Sequence, residues 1–233
     1  MASTIRSGGA AYPRSHDREP RMTTDFLRPV ILASRSPRRR ELLRQHGIGH
    51  DAVETGVDDG ILERGCASPA GWVASLAYLK AAAGLVVAPA GSLVIGADTV
   101  CVLDDTLIGQ PRDADHAGAM LRAFVERDHD VLTGVALVWR EAGGIRREFL
   151  VDRATVRVGA LSDAALAGYV ASDLWRGKAG AYNLSERLAA GWPIEFGGDP
   201  GTIMGLPMTR LMPMLRRFGV TPSDASGPYD SLS

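Results

Sequence analysis

The sequence predicts an α/β fold with a mixed sheet flanked by helices. In the first half of the 233-residue chain, short apolar runs alternate with helical patterns, which is typical of strands joined by helices. In the middle, 130–140 and 146–158 predict two strands joined by a Gly143-Gly144 turn, hence an antiparallel hairpin. No internal repeat or clear linker divides the chain. We therefore expect one domain over 29–219 and a loose tail over 220–233.

Composition limits the classes of function and partner. A hydrophobic content of 45% allows a substantial core, and a formal net charge of -1 argues against nucleic acid or an anionic membrane as partner. No apolar run approaches the ~20 residues that a membrane span needs. Residues 1–28 lack apolar periodicity and are expected to be disordered, with Met1 and Met22 both open as the start. Cys66 and Cys101 have no CxxC spacing, so we expect a reducing cytoplasm.

The first strand and helix carry an unusual charge pattern. An apolar strand over 29–33 is followed by Ser36 and Pro37, which fit the N-cap and the first position of a helix ending near Gly47. That helix opens with three arginines, 38–40, although its N-terminus favours anions. One interpretation is a corner that binds polyphosphate. The other is a solvated basic first turn.

The next elements are a short strand and an apolar helix. Residues 50–60 predict the strand and an acidic loop, and Ser68-Pro69 predicts another helix start. Four apolar residues at helical spacing then predict the buried stripe of this helix: Trp72, Leu76, Leu79 and Ala83. Lys80 lies at the edge of that stripe, where a lysine usually extends to water.

The strand over 93–103 is apolar nearly throughout, as a strand buried on both faces should be. Asp98 interrupts it. Because burying an isolated charge is costly, Asp98 must be paired, metal-bound or exposed at a cleft. Gly96 and Ala97 keep the adjacent space small, so a ligand could approach the backbone. Asp104-Asp105 predicts a turn that leads to 107–111.

The rest of the chain predicts three helices and one irregular segment. A helix begins near Asp113, with its core stripe formed by Ala117, Met120, Leu121 and Phe124. Thr133-Gly134 indicates a bulge or a close backbone approach in the hairpin. Helices are also predicted over 162–171 and 207–218, and Pro213 should kink or split the latter. Residues 173–205 predict a long irregular loop, which is commonly functional.

Known short motifs exclude several kinds of chemistry. The sequence contains no GxxxxGK[ST], no strand-linked GxGxxG, no HExxH and no GxSxG. What remains is a set of cations (Arg38, Arg39, Lys80, Lys178) and carboxylates (Asp98 and the Glu54, Asp58, Asp59 loop). Cations that neutralise phosphates, together with a carboxylate that holds Mg²⁺ or positions water, suit hydrolysis of a nucleoside triphosphate.

Six spaced motifs carry a resemblance to a known family. They are 33–43 (ASRSPRRRELL), Lys80, 96–100 (GADTV), 133–135 (TGV), 178–182 (KAGAY) and 205–207 (GLP). In this order they resemble the Maf family of nucleoside triphosphate pyrophosphatases. The resemblance covers about 29–219. It implies an elongated mixed sheet with two lobes and a central cleft, similar to the inosine triphosphate pyrophosphatases.

The resemblance also implies an activity and a set of site residues. The activity is metal-dependent hydrolysis of a nucleoside triphosphate to the monophosphate and pyrophosphate, with Mg²⁺ or Mn²⁺. Asp98 resembles the proton acceptor and a metal ligand, and Asp58 a second ligand. The predicted substrate-binding residues are Ser34, Ser36, Arg38, Arg39, Lys80, Thr99, Gln110, Lys178 and Ser185.

Two positions depart from the family pattern. Gln110 precedes Pro111 where many members have lysine, so the phosphate clamp lacks one cation there. Ser185 stands where the pyrimidine-preferring branch has glutamine and the 7-methyl-GTP branch has glutamate, and Glu186 follows it. The preferred base therefore stays open.

We expect a cytoplasmic enzyme that acts on a small-molecule nucleoside triphosphate. We expect it to bind neither nucleic acid nor a membrane, and a homodimer is one expected assembly. One role expected for such an enzyme is the clearing of modified or surplus nucleotides. The alternative is a nucleotide-binding regulator of cell division with little catalysis, which the Gln110 replacement would favour. A nucleic-acid-binding module that uses the 35–40 arginine cluster is a weaker alternative, because no aromatic residues are interleaved there.

Overall fold

A computed structural model of the chain describes residues 28–57, 62 and 64–223. In these ranges the chain forms one mixed sheet flanked by helices. The strands are β1 (Val30–Ala33), β2 (Asp51–Val53), β3 (Leu93–Leu103), β4 (Thr106–Ile108), β5 (Arg127–Glu141), β6 (Gly144–Val158) and β7 (Ile194–Gly197). The helices are α1 (Pro37–Gln45), α2 (Pro69–Val87), α3 (Ala114–Phe124), α4 (Asp163–Ala171), α5 (Leu184–Ala189), α6 (Pro200–Met204) and α7 (Met208–Arg217), with a 3₁₀ turn at Ala179–Ala181.

The sheet has the order β2-β1-β3-β5-β6-β7, and β4 pairs with β3. The three strands β2, β1 and β3 are parallel, whereas β4, β5, β6 and β7 join by antiparallel pairing. This confirms the predicted α/β class and the predicted hairpin, whose two strands pair from Arg127–Val158 to Glu141–Gly144.

The sheet opens beside the middle of β3. On one edge, β1 pairs with β3 as far as Gly96, and β4 pairs with it only from Cys101 onward. Along this edge, within the described part of the chain, no strand pairs with 97–100, although β5 continues on the other edge. Asp98 and Thr99 therefore lie at a gap between β1 and β4.

The buried face of α2 differs from the predicted stripe. Leu76 is buried, but Leu79 is 42% exposed, and the face that contacts the sheet instead contains Ala77, Ala81 and Gly84. The predicted stripe consists mostly of large apolar residues, whereas the face that contacts the sheet contains small ones. The helix places its small residues against the sheet because the sheet has glycines at the points of contact.

Two glycines on the sheet allow this close contact. A Cβ on Gly96 would lie 2.2 Å from the carbonyl oxygen of Ala77, and one on Gly134 would lie 2.5 Å from that of Val73. The Thr133-Gly134 interruption is therefore a close backbone approach, and the register of β5 continues through it without a bulge. The approach sets α2 directly over Asp98, which is the register partner of Gly134.

In the described chain, α2 is also the one helix whose length and composition would let it cross a membrane, contrary to the expectation that no apolar run approaches that length. This is weak support for a membrane span, since core helices pass the same test. Here the inner face of α2 packs across β1, β3 and β5.

Separate apolar clusters flank the gap in the sheet. One joins α1 and α7 to the odd-numbered side chains of β3, with Leu43, Leu211 and Leu215 at its centre. The other joins α3 and α4 to the far end of β3, with Phe124 and Trp175 fully buried. The first cluster supports β1 and α1, and the second supports the chain from Trp175 to Leu184. The predicted stripe of α3 is confirmed in the second cluster.

The prediction of one irregular loop over 173–205 is wrong. This segment contains the 3₁₀ turn, α5, β7 and α6, each of six residues or fewer. Their local signals are capping residues rather than apolar periodicity: the side chain of Asn183 caps α5 and that of Asp199 caps α6.

The chain ends differ in part from the prediction. The last helix, α7, is assigned as one helix across Pro213, whose side chain is on the exposed face. Val220 is buried, and the backbone N–H of Ser223 donates to the carbonyl of Gly47 over 2.9 Å, so 220–223 are attached to the end of α1. Residues 1–27 and 224–233, for which we predict disorder and a loose tail, lie outside the described residues.

Candidate active site

A cavity of about 560 Å³ lies at the gap in the sheet. Its lining comes from the end of β1, the start of α1, the middle of β3 and the segment from Arg176 to Glu186. Nine predicted site residues line it: Ser34, Ser36, Arg38, Arg39, Lys80, Asp98, Thr99, Gln110 and Lys178. Ser185 is exposed and is not part of the lining, and Asp58 lies outside the described residues.

The N-terminus of α1 faces this cavity. Ser36 occupies the N-cap position and Pro37 the first helical position, as predicted, but the Ser36 side chain makes no capping hydrogen bond. Its backbone N–H instead donates to Ser34 Oγ over 3.2 Å. The first turn holds no acidic side chain, so the free N–H groups at this end remain suited to an anion.

Arg39 connects three walls of the cavity. Its Nε donates to the carbonyl of Gly205 over 3.0 Å, and its two terminal nitrogens donate to Ser34 Oγ over 3.2 Å and Thr99 Oγ1 over 3.0 Å. Gly205 has φ 108°, a conformation that glycine adopts readily, and a Cβ there would lie 2.9 Å from Arg39 Nε. The guanidinium is therefore held in a fixed plane at the cavity wall.

A chain of threonine hydroxyls extends from Arg39 through the sheet. Thr99 Oγ1 lies 2.8 Å from Thr133 Oγ1, and Thr133 donates onward to the carbonyl of Thr202 over 2.7 Å. Thr202 Oγ1 in turn donates to Asp152 over 2.5 Å, and Arg210 pairs with the same carboxylate at 2.8 Å. This chain links α1, β3, β5 and α6 around the cavity.

Lys80 and Asp98 form the deepest charged pair of the cavity. Lys80 Nζ lies 2.6 Å from Asp98 Oδ1, and their side chains are 13% and 7% exposed. The expectation that Lys80 extends to bulk water is therefore wrong, because the close contact of α2 with β3 brings its ammonium to the carboxylate. Of the three options for Asp98, the structure shows it both paired and at a cleft.

Basic groups outnumber acidic groups in the described lining. Six basic side chains (Arg35, Arg38, Arg39, Lys80, Arg176, Lys178) surround two carboxylates, Asp98 and Glu186. Burial lowers the pKa of Arg38, and the nearby Glu186 carboxylate acts in the opposite direction. A half-buried guanidinium in such a cavity is stabilised by an anionic ligand. The lining therefore suits a polyanion such as a triphosphate.

The opposite wall of the cavity is built on buried aromatic contacts. Lys178 is buried and pairs with Glu186, and Asn183 Oδ1 accepts from the Glu186 N–H over 2.9 Å and from Ser185 Oγ over 2.8 Å. Below them, the hydroxyl of Tyr182 lies 2.8 Å from His129 Nε2. Burial lowers the pKa of His129 to about 4, so the ring is neutral at pH 7.

The cavity offers no activated cysteine. Cys101 lies in the lining, but burial raises the pKa of its thiol to about 12. A neutral buried thiol is a poor nucleophile. A carboxylate such as Asp98 is a side chain of the lining that can accept a proton from water.

The donor set also bears on the predicted metal. In the described ranges, which omit 58–61 and 63, no three His, Cys, Asp or Glu side chains form a group that could hold a metal ion. A single carboxylate such as Asp98 nevertheless fits Mg²⁺, which typically binds one or two carboxylates, several waters and the phosphates of the substrate. The residues present therefore fit a metal that enters with the nucleotide.

No individual site role is predicted from the sequence for four residues around this cavity. Asn183, Glu186 and Tyr182 lie in the segment predicted to be irregular, and Thr133 was singled out only with its glycine. The N-cap pattern of Asn183 three residues before Glu186 was an available signal. No local sequence signal predicts the contact of Lys178 with Glu186, because this contact depends on the turn between the two residues.

Comparison with known proteins supports the resemblance. The Maf-like protein family profile matches 29–218. A protein of Symbiobacterium thermophilum named dTTP/UTP pyrophosphatase is 40% identical over 83% of this chain and 95% of its own length. Proteins of the same name from Pelotomaculum thermopropionicum (38% identity, 83% of this chain and 98% of that protein) and Escherichia coli K12 (36%, 81% and 92%) are also similar. The chain therefore belongs to the Maf-like protein family.

Proposed function

We propose that this protein hydrolyses a nucleoside triphosphate to the nucleoside monophosphate and pyrophosphate in the cavity beside β3. The observation that carries the proposal is the Lys80–Asp98 pair at 2.6 Å, set in a lining where basic groups outnumber carboxylates. A carboxylate alone would repel the substrate, and cations alone would bind it without activating water. The similarity to proteins named dTTP/UTP pyrophosphatase supports the same reaction.

Each wall has a distinct role in this reaction. The N-terminus of α1, with Ser34, Ser36 and Arg38, binds the phosphate chain. Arg39 attaches α1 to Thr99 and to the loop at Gly205, and its charge faces the cavity. Asp98 orients the attacking water and accepts its proton, and Lys80 holds the carboxylate in place.

A divalent cation, Mg²⁺ or Mn²⁺, belongs to this proposal. Asp98, with Asp58 as a second ligand, would hold it. When bound, it supplies positive charge that neutralises the phosphate oxygens and stabilises the pentavalent transition state. The enzyme is then a metal-dependent nucleotide diphosphatase.

We also propose a preference for the pyrimidine nucleotides dTTP and UTP, which rests on the names of the relatives. The residue at the expected base-selecting position, Ser185, is exposed and lies outside the lining. Asn183 lines the cavity beside it and is the better candidate for contact with the base. A cytoplasmic location and a homodimeric assembly remain predictions.

A panel of triphosphates tests the function. Purified protein is incubated with dTTP, UTP, CTP, GTP, ATP and 7-methyl-GTP, with Mg²⁺, with Mn²⁺ or with EDTA, and the products are separated by anion exchange. We expect equimolar monophosphate and pyrophosphate, fastest from dTTP and UTP, and no turnover in EDTA. Calorimetric binding of a triphosphate without any product would instead favour the nucleotide-binding regulator, for which the exposed Gln110 is the supporting feature.

A further inference from the structure

The Lys178–Glu186 pair lies where the proposed reaction needs cations for phosphate. Lys178 is buried, its side chain only 9% exposed, whereas the Glu186 side chain is 41% exposed. Both side chains line the cavity. The main chain of Glu186 is fixed, because its N–H is capped by Asn183 and it belongs to the first turn of α5. The carboxylate is thus an anion held at the mouth of a basic cavity.

Glu186 also acts on a second cation of the site. Its charge opposes the effect of burial on the pKa of Arg38, so the carboxylate lies within electrostatic reach of that guanidinium. Arg38 and Lys178 come from opposite walls of the cavity, α1 and the 3₁₀ turn. Lys178 is the cation that Glu186 contacts directly, so the carboxylate occupies a position that a phosphate group would take.

The other carboxylate of the cavity differs in this respect. Asp98 is buried and its ammonium partner is on α2. Glu186 is half-exposed, so it can leave its ion pair and turn toward solvent at a small cost in free energy. It is therefore the carboxylate that can leave its cations when a stronger anion arrives.

We propose that Glu186 is an internal competitor that occupies the phosphate-binding cation Lys178 in the free enzyme and is displaced by the incoming polyphosphate. This proposal rests on the proposed function, because it requires that polyphosphate binds in this cavity. It assigns to Glu186 a role in setting the affinity for anionic substrate and product. The same carboxylate returns to Lys178 when pyrophosphate leaves.

The test uses Glu186→Gln, which keeps the length of the side chain and an oxygen that accepts from Lys178. The control is Glu148→Gln, because Glu148 also pairs with an arginine, Arg217, and its side chain is 34% exposed, but it is not part of the cavity lining. Steady-state kinetics with UTP and calorimetry with inorganic pyrophosphate are measured for both variants and the wild type at several KCl concentrations. Glu186→Ser serves as a second neutral variant if the first does not fold.

Removing one partly exposed like charge should lower the KM for UTP and the Kd for pyrophosphate by about fivefold. The turnover number should change less than the KM. Because the site becomes more positive, the KM of Glu186→Gln should also rise more steeply with KCl than that of the wild type. A purely structural role would not change this salt dependence.

Three results would overturn the proposal. A raised KM would mean that Glu186 contacts substrate favourably, and a large loss of turnover would make it a metal or catalytic ligand. A KM and a salt dependence equal to those of Glu148→Gln would mean that it does not compete at all. Failure of the proposed function is seen separately: the wild type would turn over no nucleotide, while pyrophosphate binding would still report on Glu186.

Discussion

The cavity contains two lysine–carboxylate pairs whose settings differ. Lys80 and Asp98 lie on a long helix and a central strand, and both side chains are nearly buried. Lys178 immediately precedes the 3₁₀ turn and Glu186 lies on a six-residue helix, and the Glu186 side chain is 41% exposed. The first pair is fixed by the register of the sheet and suits the chemical step. The second pair is fixed by local turns and suits a contact that changes when substrate binds.

The supports of the two pairs differ in the same way. The position of Lys80 follows from the close contact of α2 with Gly96 and Gly134, where no side chain can be added. The position of Lys178 follows from Tyr182, which is anchored on His129, and from the hydrogen bond of the Gly180 N–H to the Gly109 carbonyl over 2.9 Å. Backbone contact is less tolerant of change than side-chain contact.

The largest expected effect comes from removing each lysine in turn. Lys80→Met leaves the buried Asp98 carboxylate without its ammonium, and we expect the free energy of unfolding to fall by about 3 kcal/mol. Lys178→Met leaves a half-exposed Glu186 that water can solvate, so we expect a loss of about 1 kcal/mol or less. Urea denaturation of both variants at pH 7.5 measures the difference. Equal losses would contradict the assignment of one rigid and one adaptable pair.

The second expected effect is an acid sensitivity of the wall that carries Lys178. Burial lowers the pKa of His129 to about 4 from an ordinary value of 6.5. Between these values the unfolded chain binds a proton that the folded chain does not, so stability falls as the pH decreases from 6.5 to 4. The full difference corresponds to about 3 kcal/mol, lost progressively through that window.

Comparison with a variant isolates this contribution. His129→Gln keeps a side-chain amide that can donate to or accept from the Tyr182 hydroxyl and removes the titration, so its free energy of unfolding should change less between pH 6.5 and pH 4.5 than that of the wild type. His116→Gln, in which the changed residue lies at the start of α3, should follow the wild type. An unaltered pH dependence in His129→Gln would show that the buried imidazole does not contribute.

The smallest expected effect concerns the threonine chain that joins the walls. Thr133→Val keeps the shape of the side chain but removes the hydroxyl between Thr99 and the Thr202 carbonyl. We expect a loss of about 1 to 2 kcal/mol in stability, because buried polar groups lose their partner. Thr155→Val, on the exposed face of β6, is the control and should cost less than about 0.5 kcal/mol. If the two variants are equally stable, the hydroxyl chain has no role in joining the walls.

The sequence predicted one wall of the cavity better than the other. The strand and helix around Ser36 and the apolar strand around Asp98 have strong local signals, namely capping, proline at the first helical position and uninterrupted apolar runs. The wall from Trp175 to Glu186 is held by distant contacts, such as the Tyr169 hydroxyl donating to the Ala181 carbonyl over 3.0 Å. No periodicity in the segment itself encodes such a contact.

The wrong face of α2 has a related cause. Hydrophobic size predicts which residues prefer burial, but here the contact is set by the absence of side chains at Gly96 and Gly134. Because these two positions lack side chains, the helix is oriented with Leu79 facing outward and with Lys80 in contact with Asp98. The pairing of residues 18 positions apart across a helix and a strand depends on this orientation.

In the proposed reaction, Asp98 performs the chemical step in a cavity that binds nucleoside triphosphate. Asp98→Asn keeps the size of the side chain and an oxygen for Lys80 but cannot accept a proton. The direct measurement is the turnover of UTP to UMP and pyrophosphate by this variant, beside its affinity for UTP by calorimetry. We predict a turnover number lower by about 10³-fold with binding retained. Turnover at the wild-type rate would show that Asp98 is not the group that accepts the proton.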